Sequence, residues 1–77
     1  MKVFQIFPER CHQFETTATC PEMAYRGVCC FFKADTKITV IDEKTGEAKV
    51  YSRVLDNKGN LLRIVEHEKA RTMENGV

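Results

Sequence analysis

No stretch of this chain approaches the 18 or so consecutive apolar residues of a membrane-spanning helix. The amino-terminal run MKVFQIFPERC is interrupted by Pro8, Glu9 and Arg10 before an apolar core of signal-peptide length can form. These absences read as a cytoplasmic protein with no membrane partner. In a reducing compartment thiols stay reduced, so Cys11, Cys20, Cys29 and Cys30 are expected to be free.

An excess of one charge is also missing. Twelve basic and eleven acidic residues leave a formal charge of +1, which supplies no overall field to draw the protein onto nucleic acid or anionic lipid. Binding of that kind needs a local patch. Catalytic signatures are absent as well: there is no glycine-rich phosphate loop and no G-x-S-x-G, and His67-Glu68 begins but does not complete H-E-x-x-H. The expectation is a non-enzymatic protein without a cofactor.

Metal-site spacing is missing too. Structural zinc sites present close ligand pairs such as C-x-x-C, because two ligands on one tight turn pre-organise half of the tetrahedron. Here Cys11, Cys20, Cys29 and Cys30 are separated by nine, nine and one positions, with His12 beside the first. Adjacent cysteines on a helix point about 100 degrees apart, so Cys29 and Cys30 cannot easily share an ion. Buried cysteine packing as a small hydrophobe is the simpler reading, and zinc stays a remote alternative. A reactive thiol at Cys20 is another, since a helix start favours a thiolate, but no base stands beside it in sequence.

What is present is a single short domain. Seventy-seven residues bury only about 60% of their unfolded surface, so the core is small. Thr19 to Ala34 reads as an amphipathic helix. Thr19 and Glu22 stand in capping-box relation, Pro21 falls in the first turn, and Glu22, Arg26 and Lys33 share a polar wedge. Opposite lie Cys20, Ala24, Gly27, Val28 and Phe31, with the small Ala24 and Gly27 letting the backbone approach a sheet. A buried strand over Val28 to Lys33 competes, because Val, Cys and Phe favour sheets and Gly27 weakens a helix by about 1 kcal/mol.

Before the helix, Lys2 to Phe7 alternates as a strand that Pro8 ends, and Glu9 to Ala18 reads as a connecting loop. After it, Lys37 to Ile41, Glu47 to Leu55 and Leu61 to Val65 form an antiparallel meander. Its turns, Asp42 to Glu47 and Asp56 to Asn60, carry Gly46 and Gly59, and Gly46 is placed for positive φ. The predicted fold is therefore α+β in two layers, one helix on a small, mainly antiparallel sheet, in the order β-α-β-β-β. Residues 1–65 make the domain and 66–77 a frayed tail. Phe4, Ile6, Val28, Phe31, Ile38, Val40, Val50, Leu62 and Ile64 form the expected core.

Function is then sought on the sheet face away from the helix. If Ile38, Val40, Val50 and Ile64 point inward, Lys49, Tyr51, Arg53 and Arg63 point outward with Ile41 among them. Such a face suits contact with a protein partner or with a second copy, since Tyr and Arg are enriched at such patches. Alternatively a base stacks on Tyr51 while the cations neutralise phosphates, as in single-stranded nucleic-acid binding. The bland possibility is that the charges only keep an open sheet soluble.

Overall fold

The computed structural model describes residues 1–67, and residues 68–77 are outside that range, with most of the segment assigned to the tail. Its elements are β1 (Lys2–Pro8), β2 (Phe14–Ala18), α1 (Pro21–Val28), a 3-10 turn (Cys29–Phe31), β3 (Ile38–Asp42), β4 (Ala48–Leu55) and β5 (Leu61–His67). The five strands form one antiparallel sheet in the order β2-β1-β3-β4-β5. The α+β class holds, with the order β-β-α-β-β-β.

The predicted meander is present as β3, β4 and β5, and its turns explain why. Gly46 and Gly59 take φ of 78° and 86°, the left-handed region that only glycine enters without strain. Each turn also starts on an aspartate whose carboxylate caps it. Asp42 accepts from the amides of Lys44 and Thr45 at 2.9 and 3.3 Å, and Asp56 from those of Lys58 and Asn60 at 2.9 Å each. Loops with these local bonds bring the strands together in one register.

Two predictions fail. The stretch assigned to a connecting loop contains β2, which pairs with β1 from Lys2↔Ala18 to Ile6↔Phe14. Its Glu-Thr-Thr centre has no apolar alternation because β2 is an edge strand, leaning on one neighbour only. β1 thereby becomes an interior strand between β2 and β3.

The helix is also shorter than Thr19 to Ala34. α1 ends at Val28 and tightens into the 3-10 turn, as expected where a glycine and a run of Val, Cys and Phe weaken helix propensity. The capping box does not form: Cys20 is the N-cap residue and no side chain caps the helix. The pair Glu22–Arg26 does form, at 3.0 Å.

α1 lies across one sheet face and closes the core there. Phe4, Ile6, Ile38 and Val40 from the strands meet Ala24, Tyr25 and Val28 from the helix, all fully or almost fully buried. Each large apolar side chain so buried contributes about 1.5–3 kcal/mol. Ala24 is small and buried, as expected for the seam. Gly27 instead faces solvent, and a Cβ there would meet nothing within 4 Å.

Three expected core residues are not core. Phe31 and Leu62 are 74% and 64% exposed, and Val50 lies on the opposite sheet face. Phe31 is carried outward by the 3-10 tightening. Leu62 falls where the β4–β5 register shifts. In their place Tyr25 and Tyr51 pack at the helix–sheet interface, rings tilted by 31° with centroids 5.3 Å apart.

Candidate functional site

Strand registers decide which side chains share a face. Ile38 stands opposite Tyr51, and Val40 opposite Lys49, so with Ile38 and Val40 under the helix, Tyr51 and Lys49 must be there too. Arg53 follows by alternation. The surface proposed from sequence, Ile41, Lys49, Tyr51, Arg53 and Arg63, is therefore split between two faces. Only Ile41 and Arg63 lie away from the helix, and Lys49, Tyr51 and Arg53 are corrected to the helix side.

The three helix-side residues are engaged in the fold. Tyr51 is 4% exposed, and its hydroxyl is pushed up to about 12, first by burial and then by the charges of Glu66, Glu22, the Cys20 thiol and Glu47. Lys49 lies between Glu66 at 3.5 Å and Glu47 at 3.8 Å. Arg53 donates from Nη2 to the Phe32 carbonyl at 2.6 Å, and Nη1 is 4.0 Å from the Cys29 sulfur. Its buried Nε has no hydrogen-bond partner among the described residues. Arg53 thus ties the segment after the 3-10 turn to β4, next to the stacked rings of Phe14 and Phe32. Tyr51 cannot stack on a base from this position, and the platform of cations around an exposed tyrosine is not formed.

The sulfur sites are equally dispersed. Cys11, Cys20 and Cys30 are exposed and Cys29 is buried, its thiol donating to the Arg26 carbonyl at 3.6 Å. Among the described residues no three His, Cys, Asp or Glu side chains are arranged to hold a metal ion.

The face away from the helix has a different character. It is built by Val3, Gln5 and Phe7 of β1, Glu15 and Thr17 of β2, and Thr39 and Ile41 of β3. From β4 come Ala48, Val50, Ser52 and Val54, and from β5 Arg63, Val65 and His67. Valines, Ile41 and Phe7 run through it, and they are half-buried by packing sideways against one another. Formal charge among these strand positions is confined to Glu15 on β2 and Arg63 on β5, the two edges of the sheet. Glu15 also accepts from Gln5 Nε2 at 3.0 Å.

Besides Gln5, Thr17 and Thr39, a hydrogen-bonded polar pair lies on this face. Ser52 Oγ and His67 Nε2 are 2.7 Å apart, diagonal neighbours across β4 and β5. A hydroxyl beside an imidazole is the start of a nucleophile and base. Acyl transfer also needs N–H donors aimed at a developing oxyanion, and in a regular sheet these lie in its plane, not above its face. The pair instead satisfies two polar groups within apolar surroundings. Sequence spacing of fifteen residues gave no sign of it, and the β4–β5 register was the information needed.

Among the described residues no helix is long and apolar enough to cross a membrane. Comparison with protein-family models, with curated proteins and with solved structures finds no match to this chain.

Proposed function

We propose that this protein is a small binding module, not an enzyme, that works by protein contact through the sheet face left open by α1. The observation that supports this reading is the make-up of that face: apolar side chains from β1, β3, β4 and β5, with formal charge only on its two edge strands. Contiguous apolar surface rimmed by polar groups marks contact sites in soluble proteins. A cytoplasmic setting agrees with four free thiols. The sheet edges are the weaker candidates. β2 is short and carries Glu15, while β5 has a register shift near Leu62 and the charges of Arg63 and Glu66, features that discourage strand pairing.

A photo-crosslinking residue placed at Val50, on the open face, is compared with one at Met23, on the exposed side of α1. In cells of the source organism, adducts are expected from position 50 and not from position 23. Adducts from position 23 alone would overturn the reading.

A further inference from the structure

We infer that the occupant of the open face is a second copy of this chain, packed face to face about a two-fold axis; this rests on the reading of that face as a contact surface. The argument is its charge layout. Glu15 stands level with Gln5, Ile41 and Ala48, on edge strand β2. Arg63 stands opposite Val54, towards the far end of β4, on edge strand β5. Acid and base therefore lie diagonally across one face, on its two opposite edge strands.

A two-fold axis between two such faces, perpendicular to the line joining Glu15 and Arg63, exchanges them. Glu15 of each copy then meets Arg63 of the other, twice over, and valines, Ile41 and Phe7 fill the space between. Arg63 has no ion-pair partner among the described residues, so it is open to such a contact. Within one copy the two residues are too far apart to touch.

The alternatives fit less well. An acidic ligand such as nucleic acid finds one cation here, and a basic partner finds one acid. A self-complementary layout with no net charge matches its own rotated image better than either. Five strands about 4.8 Å apart, 5 to 8 residues long at about 3.3 Å per residue, give a flat face of roughly 400–500 Å². Side-chain relief raises the accessible area of such a face towards the ~800 Å² per partner buried in stable interfaces. The Ser52–His67 bond pairs the serine hydroxyl and one ring nitrogen of the imidazole within the contact. Because the line joining the two residues runs diagonally to the strands, this rotation crosses the strands of the two sheets at a steep angle, as in orthogonally packed sheets.

The test is a charge-exchange set read by sedimentation equilibrium over a wide concentration range. Wild type is expected to self-associate to a dimer. Glu15→Arg alone and Arg63→Glu alone each place like charges at both contacts and weaken the dimer about tenfold. The double variant Glu15→Arg/Arg63→Glu restores the wild-type dissociation constant, because each reversed acid again meets a reversed base on the other copy. Both residues are exposed, and circular dichroism checks that every variant is folded. A wild-type chain that stays monomeric throughout, or a double variant as weak as the singles, would overturn the inference. In the crosslinking experiment, adducts from position 50 at a mass other than twice that of the chain would leave the contact surface standing and remove only the second copy.

Discussion

The two faces of the sheet are built by the same strands, residue by residue in alternation, yet they do different work. Under α1 the side chains are large, closely packed and nearly sealed, as Phe4 and Ile6 at 0% exposure illustrate. That face also holds its polar residues in fixed partnerships, including Asp42 with Lys2 at 3.6 Å and Arg53 with the Phe32 carbonyl. The other face is lined by smaller, β-branched residues left half-exposed, with formal charge only on its two edge strands. Hydrophobic content alone does not separate them. What separates them is whether another layer of the same chain covers the face: the covered one carries stability, and the open one is the surface to which the proposed contact is assigned.

Substitutions on the two faces should therefore differ in kind, and the sharpest contrast comes from the core. Tyr25→Ala removes a ring that is 1% exposed and packed against Tyr51, and is expected to lose about 3–5 kcal/mol in urea unfolding. A loss below about 1 kcal/mol would mean that the helix side is not the core.

The extremes of pH act on the helix side next. Burial opposes ionisation of Asp42, but the amides of Lys44 and Thr45 and the Lys2 ammonium outweigh it and hold the carboxyl below its ordinary value. The amides of Asn60 and Lys58 do the same for Asp56. Depressed values contribute stability that is present above the unfolded pKa of about 4 and is lost as pH falls through the folded values. Acid unfolding is thus expected below about pH 4, with a shallower pH dependence in Asp42→Asn. Tyr51 runs the other way. Its value, raised to about 12, contributes stability that is full below the ordinary value of about 10 and lost as pH rises through the folded one. Tyr51→Phe should remove that tyrosine's part of the alkaline loss, measured by fluorescence-monitored denaturation between those limits.

Arg53 separates a structural cation from a binding one. Arg53→Met leaves the Phe32 carbonyl without its charged donor and should cost about 1–2 kcal/mol, with no change in self-association at equal folded fraction. A normal melting temperature with impaired association would assign Arg53 to the contact surface after all. The smallest effect is expected at Val50→Ala, less than about 1 kcal/mol in dilute protein, because the open face contributes little to the monomer.

Much of this division follows from one hairpin. The alternation of β3 is plain in the sequence, and Asp42 and Gly46 announce the turn after it. The error lay in β4, where Ala48, Val50 and Val54 look like inward residues beside Lys49, Tyr51 and Arg53. Apolar character was allowed to choose the face, although the turn already fixes it. With Ile41 opposite Ala48 across the Asp42–Glu47 turn, Val40 must face Lys49. A one-residue change of register flips every side chain, so three of five proposed surface residues moved to the helix side. The two that remain, Ile41 and Arg63, came from strands whose facing was read correctly.

Other features were hidden for physical reasons of their own. β2 offers only Phe14 and Ala18 as apolar residues, and it is held as a strand by pairing with β1 and not by its own pattern. The end of α1 is set by Gly27 and the Cys-Cys-Phe turn, where tertiary packing of Cys29 and Arg53 overrides a helical period that continues on paper. The open face as a whole became legible only once β1 was seen to lie between β2 and β3, which no local signal specifies.

The contrast between the faces is tested most directly by Val50→Asp, with sedimentation velocity and thermal unfolding measured on the same samples. A charge set in the middle of the open face is expected to leave a folded chain with a cooperative transition, and to keep it monomeric at concentrations where the wild type is a dimer. A variant that fails to fold would show that this face is part of the core, and one that folds and associates as the wild type does would show that it is not where the protein makes contact.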